Sequence, residues 1–172
     1  MFLIVSKMTL SLIFSNMLKK IKDRVIFETI KNKYTHSVPY HKYLGLKVSK
    51  FDFESAEMTL SIKNELLGNV SRGFLHGGVT ASVLDSIGGL VAIGDFISNN
   101  KDKSPDYLKN HINHMGTIDL RVDYLLPGEG KKFNANGSVI RAGKRVTVCR
   151  MEMHNDKNEC IALGTGTYLW SK

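Results

Sequence analysis

Cysteine is scarce in this sequence: Cys149 and Cys160 are the only two among 172 residues. Both fall in segments that read as strands, and neither has metal-ligand spacing around it. That argues against a disulfide framework or a cysteine-held metal, and two buried, reduced thiols of a cytosolic protein are expected. Trp170 is the sole tryptophan, and no motif of a nucleic-acid-binding module is present. The formal net charge is nevertheless +8, from basic residues that are scattered apart from short pairs at Lys19-Lys20 and Lys131-Lys132. Such a balance favours an anionic ligand but decides little alone: a membrane surface or a small polyanion, such as a phosphorylated cofactor, fits it better than a nucleic acid. A long hydrophobic run is also lacking. The opening MFLIVSKMTLSLIFSN falls short of the roughly 20 residues that cross a bilayer, so no stable membrane insertion is expected. It also lacks the basic start and small-residue cleavage site of a signal peptide. With Met8 and Met17 as alternative starts, residues 1–16 read as a flexible leader or a stretch upstream of the true start. The chain from Met17 onward reads as cytoplasmic.

What remains is an ordinary globular composition, 42% hydrophobic and 23% charged, with no low-complexity tract. The length suits one domain able to bury a core. Residues 17–35 carry Leu18, Ile21, Val25, Phe27 and Ile30 at near-helical spacing, which predicts an amphipathic helix packed on the domain edge. The domain itself is expected over 36–172. Pro39 and Gly45 punctuate a connection, and strands are expected over Leu46 to Phe53 and Ala56 to Ile62.

Residues 76–94, HGGVTASVLDSIGGLVAIG, read as a helix with two unlike faces. Val79, Val83, Leu84, Ile87, Leu90 and Val91 make one face, suited to lying on a sheet. Gly78, Ala81, Ser82, Asp85, Gly88, Gly89 and Ala92 make the other, small-residued with one carboxylate. Glycine inside a helix costs roughly 1 kcal/mol against alanine, so close approach of a backbone or a ligand is the expected reason. A polar insertion follows over 98–115, expected as surface loop with a short helical piece. Residues 117–124 then alternate strictly, with Ile118, Leu120, Val122 and Tyr124 on one side and Thr117, Asp119, Arg121 and Asp123 on the other. Three more strands are expected over 131–141, 145–154 and 160–170, joined by turns at Gly143-Lys144 and Asn155-Asp156-Lys157-Asn158. Two strands, a long helix and four strands predict an α+β domain with the helix against one curved antiparallel sheet of about six strands.

That order, with His76-Gly77-Gly78 opening the helix, resembles the hotdog-fold acyl-CoA thioesterase superfamily, most of all its phenylacetate-pathway branch. The resemblance spans roughly residues 40–170. It rests on Gly73 with His76-Gly77-Gly78, Asp85 nine residues after the histidine, and Thr117-Ile118-Asp119-Leu120. Tyr124-Leu125-Leu126-Pro127-Gly128 and Gly143-Lys144-Arg145 continue it. Two departures stand out. Val70 occupies a position where the family often has Asn or Gln, with Asn69 one step away, and the 98–115 insertion is long for the family.

Thioester hydrolysis needs donors for a developing oxyanion and a carboxylate that activates water or attacks directly. A helix N-terminus supplies such donors, and glycine lets a carbonyl come close. The resemblance implies the Gly77 N–H as the oxyanion donor, with His76 shaping the turn or orienting substrate. A purely structural His76 is the competing reading. Asp85 is the expected general base or nucleophile, against the alternative of a solvated surface aspartate. Thr117 matches a hydroxyl that holds the attacking water in similar enzymes, or is a simple strand-start threonine. Gly78, Ser82 and Asn69 are candidate substrate contacts. Lys144 and Arg145, in a hairpin turn, are candidates for the phosphates of coenzyme A or a solvated turn. No cofactor is implied beyond coenzyme A, itself part of the substrate, and no metal. Gly77 and Asp85 lie eight residues apart, about 12 Å along a helix at 1.5 Å per residue. One thioester therefore cannot easily meet both from one chain, whereas two antiparallel helices across a twofold axis can present them together. A homodimer is expected, with a dimer of dimers as its extension. A non-catalytic acyl-CoA or lipid-binding module and a hotdog dehydratase or hydratase are the alternatives.

Overall fold

The structure, a computed structural model, describes residues 2–53 and 55–171, with side chains from residue 12 onward except residue 20. The chain begins with α1 (Phe2–His36) and the one-and-a-half-turn α2 (Pro39–Leu44), then β1 (Lys47–Phe51) and β2 (Ala56–Ser61). A small hairpin, β3 (Leu67–Asn69) with β4 (Phe74–Leu75), leads into α3 (Gly77–Asn99) and α4 (Pro105–Asn113). Four long strands close the chain: β5 (Met115–Tyr124), β6 (Lys132–Ala142), β7 (Val146–His154) and β8 (Cys160–Trp170).

The alternation in these strands is what buries one face. Phe133, Ala135 and Gly137 of β6 and Cys149, Met151 and Met153 of β7 all lie on the side that meets α3. Six strands join in one antiparallel sheet, in the order β1-β2-β6-β7-β8-β5. The helix α3 lies across it, and Leu84, Ile87 and Leu90 are fully buried against the sheet. Each such side chain contributes roughly 1.5–3 kcal/mol of burial. This is the hotdog arrangement, a long central helix held by a curved sheet of six strands.

Four local features differ from the sequence expectation, each with a physical reason. First, α3 runs to Asn99 rather than 94, and the insertion is not mainly loop. Ser104 caps α4 by accepting the Tyr107 N–H, and Pro105 sits at the first helical position, where its missing N–H costs nothing. Second, the supposed small-residue face is split. Ala81, Ser82 and Asp85 are only partly covered, but Gly88, Gly89 and Ala92 are buried on the sheet side. At Gly88 the close approach is that of a side chain: a Cβ there would lie 2.1 Å from the Tyr168 hydroxyl. Third, β5 bulges at Ile118, so its alternation changes phase between Thr117 and Asp119. Fourth, α1 is longer than expected, and among its described side chains those that pack on the body begin at Ile26. Phe27 meets Phe51 and Phe53 edge-on, with ring centroids 4.8 and 4.5 Å apart. Leu18, Ile21 and Val25 instead point outward and are exposed.

Candidate active site

His76 leaves β4 in extended geometry (φ −66°, ψ 134°) and caps α3 with its ring: the Gly78 N–H donates to Nδ1 over 2.9 Å. That contact requires an unprotonated Nδ1, so a neutral His76 carries its hydrogen on Nε2. The cap takes one of the free donors of the helix N-terminus. Among the described residues the Gly77 N–H has no partner. Its carbonyl does: the Tyr124 hydroxyl donates to Gly77 O over 2.8 Å, from the far end of β5. No acidic side chain lies in the first turn of α3 to compete for a developing negative charge.

Two turns along α3, Asp85 meets the start of the same strand. The Thr117 hydroxyl donates to Asp85 Oδ1 over 2.9 Å. Thr117 was expected on the face of β5 opposite Leu120. Because of the bulge at Ile118, Thr117, Leu120 and Tyr124 all address α3 or the core behind it. Two tyrosines close the site from behind. The Tyr168 hydroxyl, rising from β8 through the gap at Gly88, donates to the Asp85 carbonyl over 3.0 Å. Tyr34 of α1 is half-buried nearby. Burial, reinforced by the negative charge of Asp85, raises the pKa of both phenols well above the usual range. Both stay neutral donors at any ordinary pH.

The remaining expected contacts are distributed around α3. Ser82 donates to Gly78 O over 2.8 Å and also meets the Tyr40 hydroxyl at 2.9 Å. Asn69 Oδ1 accepts the Arg72 N–H over 3.2 Å, closing the β3–β4 turn. His41, which shows no partner pattern in the sequence, is buried: Nδ1 lies 2.8 Å from the Tyr34 carbonyl and Nε2 3.1 Å from Ser86 Oγ. A carbonyl only accepts, so the His41 hydrogen sits on Nδ1 and ties α2 to the end of α1. Sequence reasoning missed Tyr34, Tyr40, His41, Tyr124 and Tyr168, and only Tyr124 stood within a marked motif.

Lys144 and Arg145 lie elsewhere, at the other end of α3. With Asp95, Phe96, Tyr107 and Trp170 they line a cavity of about 680 Å³. Asp95 follows Asp85 by ten residues, about 15 Å along the helix axis at 1.5 Å per residue. Phe96 stacks on Trp170 at 4.4 Å and on His111 at 5.6 Å, so the insertion helix α4 builds one wall. The two cysteines are free. Cys149 is buried, which pushes its thiol up to about 12, and Cys160, expected to be buried too, is only half covered.

A carboxylate held by a threonine, a glycine N–H left open at a helix start and a wide sheet behind them are the furniture of thioester hydrolysis. The thioesterase superfamily model matches residues 72–162, which include His76, Gly77, Asp85, Thr117 and Tyr124. The chain is 40% identical over 136 residues to the medium/long-chain acyl-CoA thioesterase YigI of Escherichia coli, covering 79% of this chain and 88% of that one. A crystal structure of a Shewanella oneidensis protein related to the thioesterase superfamily superposes with a TM-score of 0.84. It is 44% identical and covers 87% of this chain and 97% of that one. A Haemophilus influenzae thioesterase, 18% identical with a TM-score of 0.66 over 83% and 88% of the two chains, shares the fold. The chain belongs to the thioesterase superfamily and is a thioester hydrolase.

Proposed function

We propose that this chain hydrolyses medium- to long-chain acyl-CoA to free acid and coenzyme A, with each active site shared by two copies. The observation that carries the reading is the Thr117–Asp85 pair at 2.9 Å, facing the open edge of the sheet. Its partner in the reaction, the Gly77 N–H, is too distant along the same helix to serve one thioester. The edge strand β5 supports the shared site. It is ten residues long and ends the sheet, and Ile118, Tyr124, Leu125 and Leu126 are exposed on or beside it. Unpaired edges of this length invite another strand, and an isologous pairing would set Gly77 of one copy towards Asp85 of the other. A dimer of dimers is a further extension of the same assembly.

In this reading the acyl carbonyl oxygen accepts the Gly77 N–H. Thr117 occupies Oδ1 of Asp85, leaving Oδ2 to take a proton from water as it attacks the carbonyl carbon. Collapse of the tetrahedral oxyanion breaks the carbon–sulfur bond and expels the coenzyme A thiolate, which takes up the proton. Direct attack by Asp85, through a mixed anhydride that water then opens, uses the same contacts. Gly78, Ser82 and Asn69 line the approach, and Lys144 and Arg145 receive the coenzyme A phosphates at the cavity rim. Two reduced thiols suit the cytoplasm. A dehydratase reading is disfavoured because His76, the only histidine at α3, spends Nδ1 on the helix cap, nine residues from Asp85. A non-catalytic binder would not need Asp85. Free-thiol release across short, medium, long and aryl acyl-CoA substrates, with Asp85→Asn alongside, is the test. No release from any of them by the wild-type chain would reject the proposal.

A further inference from the structure

Residues 13–25 of α1 carry an apolar stripe that no other described residue buries. Ile13, Phe14, Met17, Leu18, Ile21 and Val25 are each 51–61% exposed. At about 100° per residue they fall within an arc of roughly 140° on one side of the helix. Phe27, Ile30 and Tyr34, which hold α1 to the body, lie on the opposite side of the wheel. The stripe ends at Glu28, the next residue on the same side. A helix anchored by one face from Ile26 onward and bare on the other over residues 13–25 is built to lie on something.

Charge decides what. Between residues 12 and 25 the helix has four basic residues, Lys19, Lys20, Lys22 and Arg24, against the single acid Asp23. Lys22 borders the stripe on one side and Arg24 lies just within its other edge, both exposed, while Asp23 faces away. Two copies of this face would set like charges against each other. An anionic surface would satisfy them, with the lysine and arginine stems lying along apolar surface and their heads reaching phosphates. The stripe is also remote from the edge proposed for dimer formation: α1 packs at β1, the opposite end of the sheet from β5. We infer that residues 13–25 of α1 form an interfacial helix segment that lays this stripe on an anionic phospholipid surface and holds the domain there. Nothing crosses the bilayer. The inference does not depend on which thioester the active site cleaves, although long acyl thioesters partition to the same surface.

The test is co-sedimentation of the full chain with vesicles of phosphatidylcholine alone and of phosphatidylcholine with phosphatidylglycerol. Binding is expected to the anionic vesicles and to fall as salt rises. Met17→Glu with Ile21→Glu should abolish it, and Lys22→Glu with Arg24→Glu should weaken it several-fold. Both pairs are exposed, so the melting temperature and thiol release in free solution should match wild type. Equal binding to neutral vesicles, or undiminished binding by the Met17→Glu, Ile21→Glu chain, would overturn the inference. So would a smaller assembly for that variant in sedimentation equilibrium, which would make the stripe a contact between copies.

Discussion

Thr117 reaches Asp85 because β5 slips phase between them: the bulge at Ile118 turns Thr117 toward α3 on the same side as Leu120, and its hydroxyl donates to Oδ1 over 2.9 Å. A hydrogen bond to a charged group is worth roughly 1.5–3 kcal/mol, so orientation of the carboxylate depends on it. Thr117→Val keeps the shape and removes the donor. It should lower kcat at least about tenfold with KM little changed, since about 1.4 kcal/mol of lost transition-state stabilisation is a factor of ten. Thr117→Ser should retain most of the rate. Asp85→Asn should cost more, on the order of 10²–10⁴ in kcat. A Thr117→Val enzyme with full kcat would reduce this contact to strand packing.

The shared site makes a sharper demand. Gly77 lies against the exposed Tyr124 ring, where an added Cβ would be 3.4 Å from the nearest atoms, within ordinary van der Waals contact. Gly77→Val should therefore fold while obstructing the oxyanion position. Mixed with Asp85→Asn and allowed to exchange subunits, two inactive chains should regain activity, because each heterodimer carries one site with both groups intact. Mixtures that stay inactive after verified exchange would place both groups in one chain.

Gly88 carries a stability prediction rather than a catalytic one. Helix propensity favours alanine over glycine by roughly 1 kcal/mol. Here a Cβ would lie 2.1 Å from the Tyr168 hydroxyl and 2.9 Å from Met151 Sδ, in a part of the core with no room to move. Overpacking of this kind typically costs 1–3 kcal/mol, so Gly88→Ala should lower the urea midpoint despite its better propensity. Gly116, where a Cβ would meet nothing within 4 Å, serves as the control. Equal stability of Gly88→Ala and wild type would mean that Tyr168 does not occupy that gap.

The same glycine shows where sequence reading stops. Periodicity located all six strands of the main sheet and the long helix, because a half-buried strand and a helix lying on it each need their own spacing of apolar residues. The helix wheel also set Asp85 apart, whereas His76 and Thr117 were marked by the family resemblance. The same wheel assigned Gly88 and Gly89 to a face open to helix or ligand, since a wheel shows direction but not the length of the side chain arriving from the other layer. Tyr168 is that side chain, contributed by a strand 80 residues later. The phase of β5 was misread for a related reason: a bulge leaves no mark in a sequence whose alternation looks unbroken through Ile118. Among the described residues, β3 and β4 pair over so few positions that no period could reveal them.

Asp95 should set a small pH dependence of stability. Burial raises its pKa, and the hydrogen bond from Asn99 only partly offsets that. An acid with a raised folded-state value binds its proton more tightly when folded, so the native state is penalised above that value and relieved as pH falls through it. Asp95→Asn should therefore raise the melting temperature near neutral pH, with the gain shrinking toward the ordinary carboxylate range near pH 4. A gain that is constant with pH, or a loss at neutral pH, would contradict the burial argument.

The cavity at the far end of α3 separates nucleotide recognition from chemistry. Lys144 and Arg145 sit on its rim in the β6–β7 turn, exposed and about 15 Å along the α3 axis from Asp85 when measured to Asp95 at 1.5 Å per residue. Lys101, over the Phe53 ring at 3.8 Å, and Lys103, 3.1 Å from Asp102, are engaged elsewhere and do not line it. Contacts this far from the reacting carbon hold ground and transition states alike, so removing them should weaken binding without slowing the chemical step. Lys144→Ala with Arg145→Ala should raise KM for acyl-CoA about five- to tenfold and leave kcat nearly unchanged, with each exposed contact worth up to about 1 kcal/mol. Short pantetheine thioesters, which lack the nucleotide, should be hydrolysed equally well by both proteins. Rising salt should raise the wild-type KM for acyl-CoA toward that of the variant, because exposed charge contacts are screened within about 10 Å at 0.1 M. If the double variant loses activity equally on both substrate types, the turn is a structural element, and the phosphates must be met by another basic surface.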